Sequence, residues 1–152
     1  MSSHRFFEHW QSLQIHHIGF VYLPFYFSGK CHFQRQHVSA TVRSFVNIKS
    51  GYESHLQHAL ATIGPVAVAI DASHASFRHY THGVYYEKNC GKSVHRLTHA
   101  VLVVGYGKEN GHDYWLVKNS WGHHYGAHGY VRMARNRGNH CGIATKASYP
   151  LV

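Results

Sequence analysis

The stretches LTHAVLVVGYG (Leu97–Gly107) and YWLVKNSWG (Tyr114–Gly122) decide how this chain is read. Ala100–Tyr106 and Tyr114–Lys118 are short runs of apolar, β-branched and aromatic residues. A loop with Gly, Asn and Asp separates them, so they read as neighbouring strands. His99 and Asn119 stand at the edges of these runs. An imidazole can take a proton from a thiol or hydroxyl and return it to a leaving amine. It works best when a third group fixes its orientation and tautomer, and an amide oxygen can do so by accepting the other ring proton. Strands give both side chains a rigid mount, and the indole of Trp121 is placed to shield their contact from water.

Outward from this pair, the chain reads as one α+β domain. His37–Ile48 alternates and is rich in β-branched residues, which predicts a strand. Ser50 and Glu53 have the spacing of a capping box. Tyr52, Leu56, Leu60 and Ile63 then share a helical face, and Gly64 and Pro65 stop the helix. Val66–Ile70 (VAVAI) reads as a buried strand, and the SHASFRHY segment as a turn or short helix. Further strands are expected at Gly83–Tyr86 and Gly129–Met133, with a last extended piece at Ala144–Pro150. One main helix among many antiparallel strands implies a twisted sheet or open barrel. A division falls near Gly29, giving an aromatic N-terminal segment over 1–28 and a domain over 29–152.

Composition sets bounds. The 152 residues carry a net charge of +9, yet Lys and Arg are scattered singly, and no nucleic-acid-binding motif is present. No run approaches the roughly 20 apolar residues of a membrane helix. The segment before Gly29 is broken by polar residues and does not read as a secretory leader. Neither a nucleic acid nor a membrane is expected as partner. Histidine is the outlier, at 18 residues. Full protonation would add 18 charges to the +9 and strain a compact state. Cysteines number three, which allows one pair and an orphan in an oxidising compartment, or three thiols in a reducing one.

THAVLVVGYG, DYWLVKNSWG and GYVRMARNRGNHCGIATKASYP, with GPVAVAIDASHASFRHYTHGVYYEKNC upstream, resemble the C-terminal half of papain-like cysteine peptidases, cathepsin L-like in particular. The resemblance runs from about Gly29 to Val152. It implies the β-rich, right-hand half-domain of that fold and a proteolytic activity without a cofactor. By this resemblance His99 is the general base, Asn119 its orienter and Trp121 the indole over their contact. Cys90 and Cys141 match a disulfide, and Cys31 matches a cysteine bridged to the N-terminal half. Ala69, Leu97 and Lys146 match positions lining the pocket for the substrate side chain two before the scissile bond. A lysine there would disfavour large apolar groups and attract acidic ones, unless it points to water. Lysosomal or extracellular residence is the family expectation.

The family's nucleophile lies in a Cys-Gly-Ser-Cys-Trp motif well over a hundred residues before the histidine. That motif, and the oxyanion Gln near it, do not occur in this sequence. The expectation is a peptidase homologue that is inactive as this chain, with a peptide substrate or a complementary N-terminal half as partner. The alternatives are a non-catalytic binding module, a piece of a longer active protease, or a His-rich metal-binding protein. His123, His124 and His128 lie on one Gly-rich loop, but no Cys or carboxylate completes a recognised metal spacing, so a solvated loop is expected, as it is for His79 and His82. An isolated half would expose apolar surface, for which the aromatic residues of 1–28 offer a cover.

Overall fold

The computed structural model of the chain describes residues 33–152. The aromatic segment and Cys31 lie outside the described residues. Seven strands form one sheet: β1 (Ser44–Asn47), β2 (Val66–Ile70), β3 (Val84–Tyr85), β4 (His99–Glu109), β5 (His112–Lys118), β6 (Tyr130–Ala134) and β7 (Ala147–Leu151). Their order is β1-β7-β2-β4-β5-β6-β3. β1 and β3 are the two edges, so the sheet is unclosed. The main helix, α1 (Glu53–Thr62), joins β1 to β2, and a one-turn helix, α2 (Ala75–Arg78), follows β2. This is the α+β, sheet-dominated architecture that the sequence predicts.

Three details differ. All pairings are antiparallel except β3 with β6, which is parallel. The strand expected over His37–Ile48 shortens to β1. Its neighbour is β7, whose register runs from Leu151 against Ser44 to Ser148 against Asn47. Residues before Arg43 therefore have no ladder to join, and Arg35–His37 form a single 3-10 turn instead. The capping box is also not made. The N-cap of α1 is Tyr52, with no side-chain cap bond. Ser50 donates its hydroxyl to the Thr145 carbonyl at 2.8 Å. The Glu53 carboxylate accepts from Trp115 Nε1 (3.0 Å) and from the backbone N–H groups of Asn136 and Asn139 (both 2.8 Å). Long-range donors that would otherwise be orphaned outcompete the local cap.

The core lies between α1, α2 and the sheet. Leu56, Val66, Val68, Ile70, Phe77, Val101, Val103, Trp115, Val117, Val131, Met133 and Ile143 are all fully buried. Of the helical face read from sequence, Leu56 reaches this core, whereas Tyr52 and Ile63 at the helix ends stay exposed. The β4–β5 hairpin turns on Asn110 (φ 47°) and Gly111 (φ 80°). Both are left-handed, as a two-residue turn matching the strand twist requires. Between Val103 and Gly105 the register shifts by one, leaving Val104 as a bulge residue opposite no partner.

Candidate active site

His99 is the first residue of β4, and Asn119 directly follows β5. The backbone fixes both. Thr98 N–H donates to the Ile70 carbonyl (2.9 Å), and Asn119 N–H donates to Gly129 O (2.9 Å). His99 Nε2 lies 2.8 Å from Asn119 Oδ1. The same oxygen accepts the Ser120 N–H at 2.8 Å, which settles the orientation of the amide. An oxygen that only accepts makes His99 Nε2 the protonated nitrogen. Nδ1 then keeps its lone pair and is the basic atom. The Asn119 Nδ2 group is buried, with the Tyr125 hydroxyl as its polar neighbour.

An aromatic cluster surrounds the pair. Trp121 stacks on the imidazole, with centroids 4.9 Å apart and planes at 26°. Phe77 meets Trp121 edge-on at 5.6 Å and lies tilted by 42° against Tyr125 at 5.8 Å. Tyr125 donates its hydroxyl to the Phe77 carbonyl at 2.9 Å, and burial pushes that hydroxyl well above the usual phenol range. Burial also pulls the His99 imidazole below its ordinary value, partly opposed by the Asn119 hydrogen bond. The ring is thus kept neutral and able to accept a proton near pH 7.

Cys90 and Cys141 form a disulfide closing a separation of 51 residues. Asp71, which sequence reasoning passed over, anchors the same region. It is fully buried. Burial alone would raise its carboxyl, but hydrogen bonds from Ser73 and Gly91, with Arg96 nearby, outweigh this and hold it below the usual range. Its partners are Ser73 Oγ at 2.6 Å and Gly91 N–H at 2.7 Å, so it pins the segment after Cys90 to the end of β2. A carboxylate ending the apolar run VAVAI was the available signal. His140 is likewise buried and accepts the Glu87 N–H at Nε2 (2.9 Å).

Ala69 and Lys146 meet through a backbone hydrogen bond, Ala69 N–H to Lys146 O at 3.0 Å. Ala69 is buried, and Lys146 and Leu97 are half-buried. Leu97 packs so closely on Gly142 that a β-carbon there would lie 2.6 Å from its Cδ2. A depression of about 420 Å³ lined by Tyr86, Glu109, Asp113 and Arg137 includes none of these residues and lies apart from His99. Cys90, His140 and Cys141, and likewise Asp71, His74 and Cys90, cluster closely enough to suggest a metal. The sulfurs are joined to one another, so neither group offers a thiolate.

A neutral imidazole steered by an amide oxygen under an indole is the proton-accepting arrangement of nucleophilic acyl-transfer enzymes. The chain belongs to the papain family of cysteine proteases: that family's sequence model matches residues 4–151. It is 60% identical over 123 residues to a cathepsin L-like peptidase of Aedes aegypti, covering 80% of this chain and 36% of that protein. A digestive procathepsin L 3 of Tenebrio molitor larval midgut superposes with a TM-score of 0.77 at 47% identity, over 82% of this chain and 40% of that one. Bromelain from Ananas comosus, in complex with the inhibitor E64, superposes with a TM-score of 0.72 at 38% identity, over 84% and 59%. The chain thus spans well under half the length of the first two. The unclosed sheet with its single main helix is consistent with a C-terminal half-domain of the papain-like fold.

Proposed function

We propose that this chain supplies the proton-transfer half of a cathepsin L-like endopeptidase site. The observation that carries this is the 2.8 Å contact between His99 Nε2 and Asn119 Oδ1 beneath Trp121. His99 Nδ1 takes the proton of an attacking thiol and later delivers it to the leaving amine. Asn119 holds the ring in the tautomer that leaves Nδ1 free. Ala69, Leu97 and Lys146 receive the substrate side chain two before the scissile bond, and the half-buried lysine favours acidic over large apolar groups there. The partners are a peptide or protein substrate and a thiol-bearing half that completes the site. The disulfide fits an oxidising compartment, in keeping with lysosomal or extracellular residence.

The 152 residues alone are inactive in this reading. Cys90 and Cys141 are oxidised, and Cys31 lies outside the motif that carries the family's nucleophile. A fluorogenic peptide and a thiol-directed epoxide probe test it together. The expected result is neither turnover nor labelling. Turnover that disappears in Cys31→Ala and persists in wild type would overturn the assignment.

A further inference from the structure

The loop between β5 and β6 carries an arrangement that proton transfer does not use. The rings of His123 and His128 lie 4.7 Å apart between centroids, with planes at 42°. Both side chains are exposed. The backbone holds them together. A β-carbon on Gly129 would stand 3.2 Å from the Gly122 carbonyl oxygen and 3.8 Å from His123 Cα, so the two limbs of the loop cross there. Gly129 N–H donates to Tyr125 O at 2.7 Å, and Tyr125 is buried beneath the loop. His128 itself has φ 56°, a left-handed conformation uncommon for non-glycine residues.

Two imidazoles this close can direct lone pairs at one shared ion. The carboxylates among the described residues, Glu53, Asp71, Glu87, Glu109 and Asp113, are all engaged elsewhere. Imidazole donors without carboxylate suit zinc, copper and nickel rather than calcium or magnesium. The His124 ring lies 6.3 Å from that of His123 and nearly perpendicular to it, so it stands apart from the pair.

We propose that His123 and His128 form a two-imidazole site for a borderline divalent transition-metal ion, zinc foremost, with water filling the remaining positions. The site lies on the loop that follows Asn119 and Trp121 and is independent of the peptidase reading. Its test is calorimetric titration of the 152-residue chain with zinc at pH 7.5, comparing wild type, His128→Gly and a His79→Asn/His82→Asn control. Glycine suits the left-handed position, so His128→Gly removes the ligand while relaxing the backbone. The tightest zinc equivalent should weaken at least tenfold, or vanish, in His128→Gly and persist in the control. Electron paramagnetic resonance with one equivalent of copper(II) should show two equatorial nitrogens in wild type and one in the variant. An unchanged tightest step in His128→Gly, or a single nitrogen in wild type, would overturn the proposal.

Discussion

Replacing Glu53 tests whether long-range bonds rather than a local cap set the start of α1. Its carboxylate takes three donors: the indole of fully buried Trp115, the partly buried Asn139 N–H and the exposed Asn136 N–H. In Glu53→Ala the indole N–H is left without a partner in a dry site, which costs about 2 kcal/mol. Water reaches Asn139 in part and Asn136 fully, so these add about 1 kcal/mol between them. Loss of a negative charge in the first turn of the helix adds a few tenths to about 1 kcal/mol. The expected total is roughly 3–4 kcal/mol, a large share of the ~5–15 kcal/mol that holds a domain together. Glu53→Gln keeps an acceptor oxygen for the indole and should lose about half as much. Urea unfolding followed by tryptophan fluorescence measures both. A Glu53→Ala unfolding free energy within about 0.5 kcal/mol of wild type would show that the three bonds do not carry the load assigned to them.

Reducing the Cys90–Cys141 bridge, or replacing both cysteines by alanine, frees a separation of 51 residues. The cost is about 4 kcal/mol on the chain-entropy account, read from the same unfolding curves, and no loss would discredit that account here. His140 is pulled below its ordinary value, first by burial. The unfolded chain therefore takes up its proton first on acidification. Stability is complete above about pH 6.5 and falls as pH drops through the folded value. His140→Gln should accordingly lose less stability than wild type between pH 8 and pH 5, and equal losses would refute this. For His99, nuclear magnetic resonance titration should show opposite movements. Trp121→Ala raises its pKa by admitting water, whereas Asn119→Ala lowers it by removing the bond that favours the charged ring. Movement in one direction in both variants would break the assignment of causes.

Strand identity was legible where the pattern was strong. The apolar runs at Val66–Ile70, Ala100–Tyr106 and Tyr114–Lys118 all fall within strands, because alternation and flanking glycines mark them locally. His99 and Asn119 stood out as polar groups at the edges of those runs, and the structure places them in hydrogen-bond contact. What stayed hidden depends on distant partners. Nothing near Val84–Tyr85 announces a parallel pairing with β6. The Ser50 and Glu53 spacing looks like a cap until Thr145, Trp115, Asn136 and Asn139 arrive from the other end of the chain. Asp71 was passed over because its donors, Ser73 and Gly91, surround it only once β2 and the disulfide loop have packed.

Val104 has a consequence beyond its own kink. Near the hairpin tip Glu109 faces His112, a phasing that carries back as far as Gly105 against Leu116. Below the bulge Leu102 faces Lys118, one step out of that phase. Were Val104 to take an ordinary rung, Leu102 would face Asn119, and the residue diagonal to His99 would become Ser120. Every side chain on that arm would exchange sides. A single looped-out valine acts as a vernier between tip and chemistry, deciding whether the imidazole meets an amide or a hydroxyl.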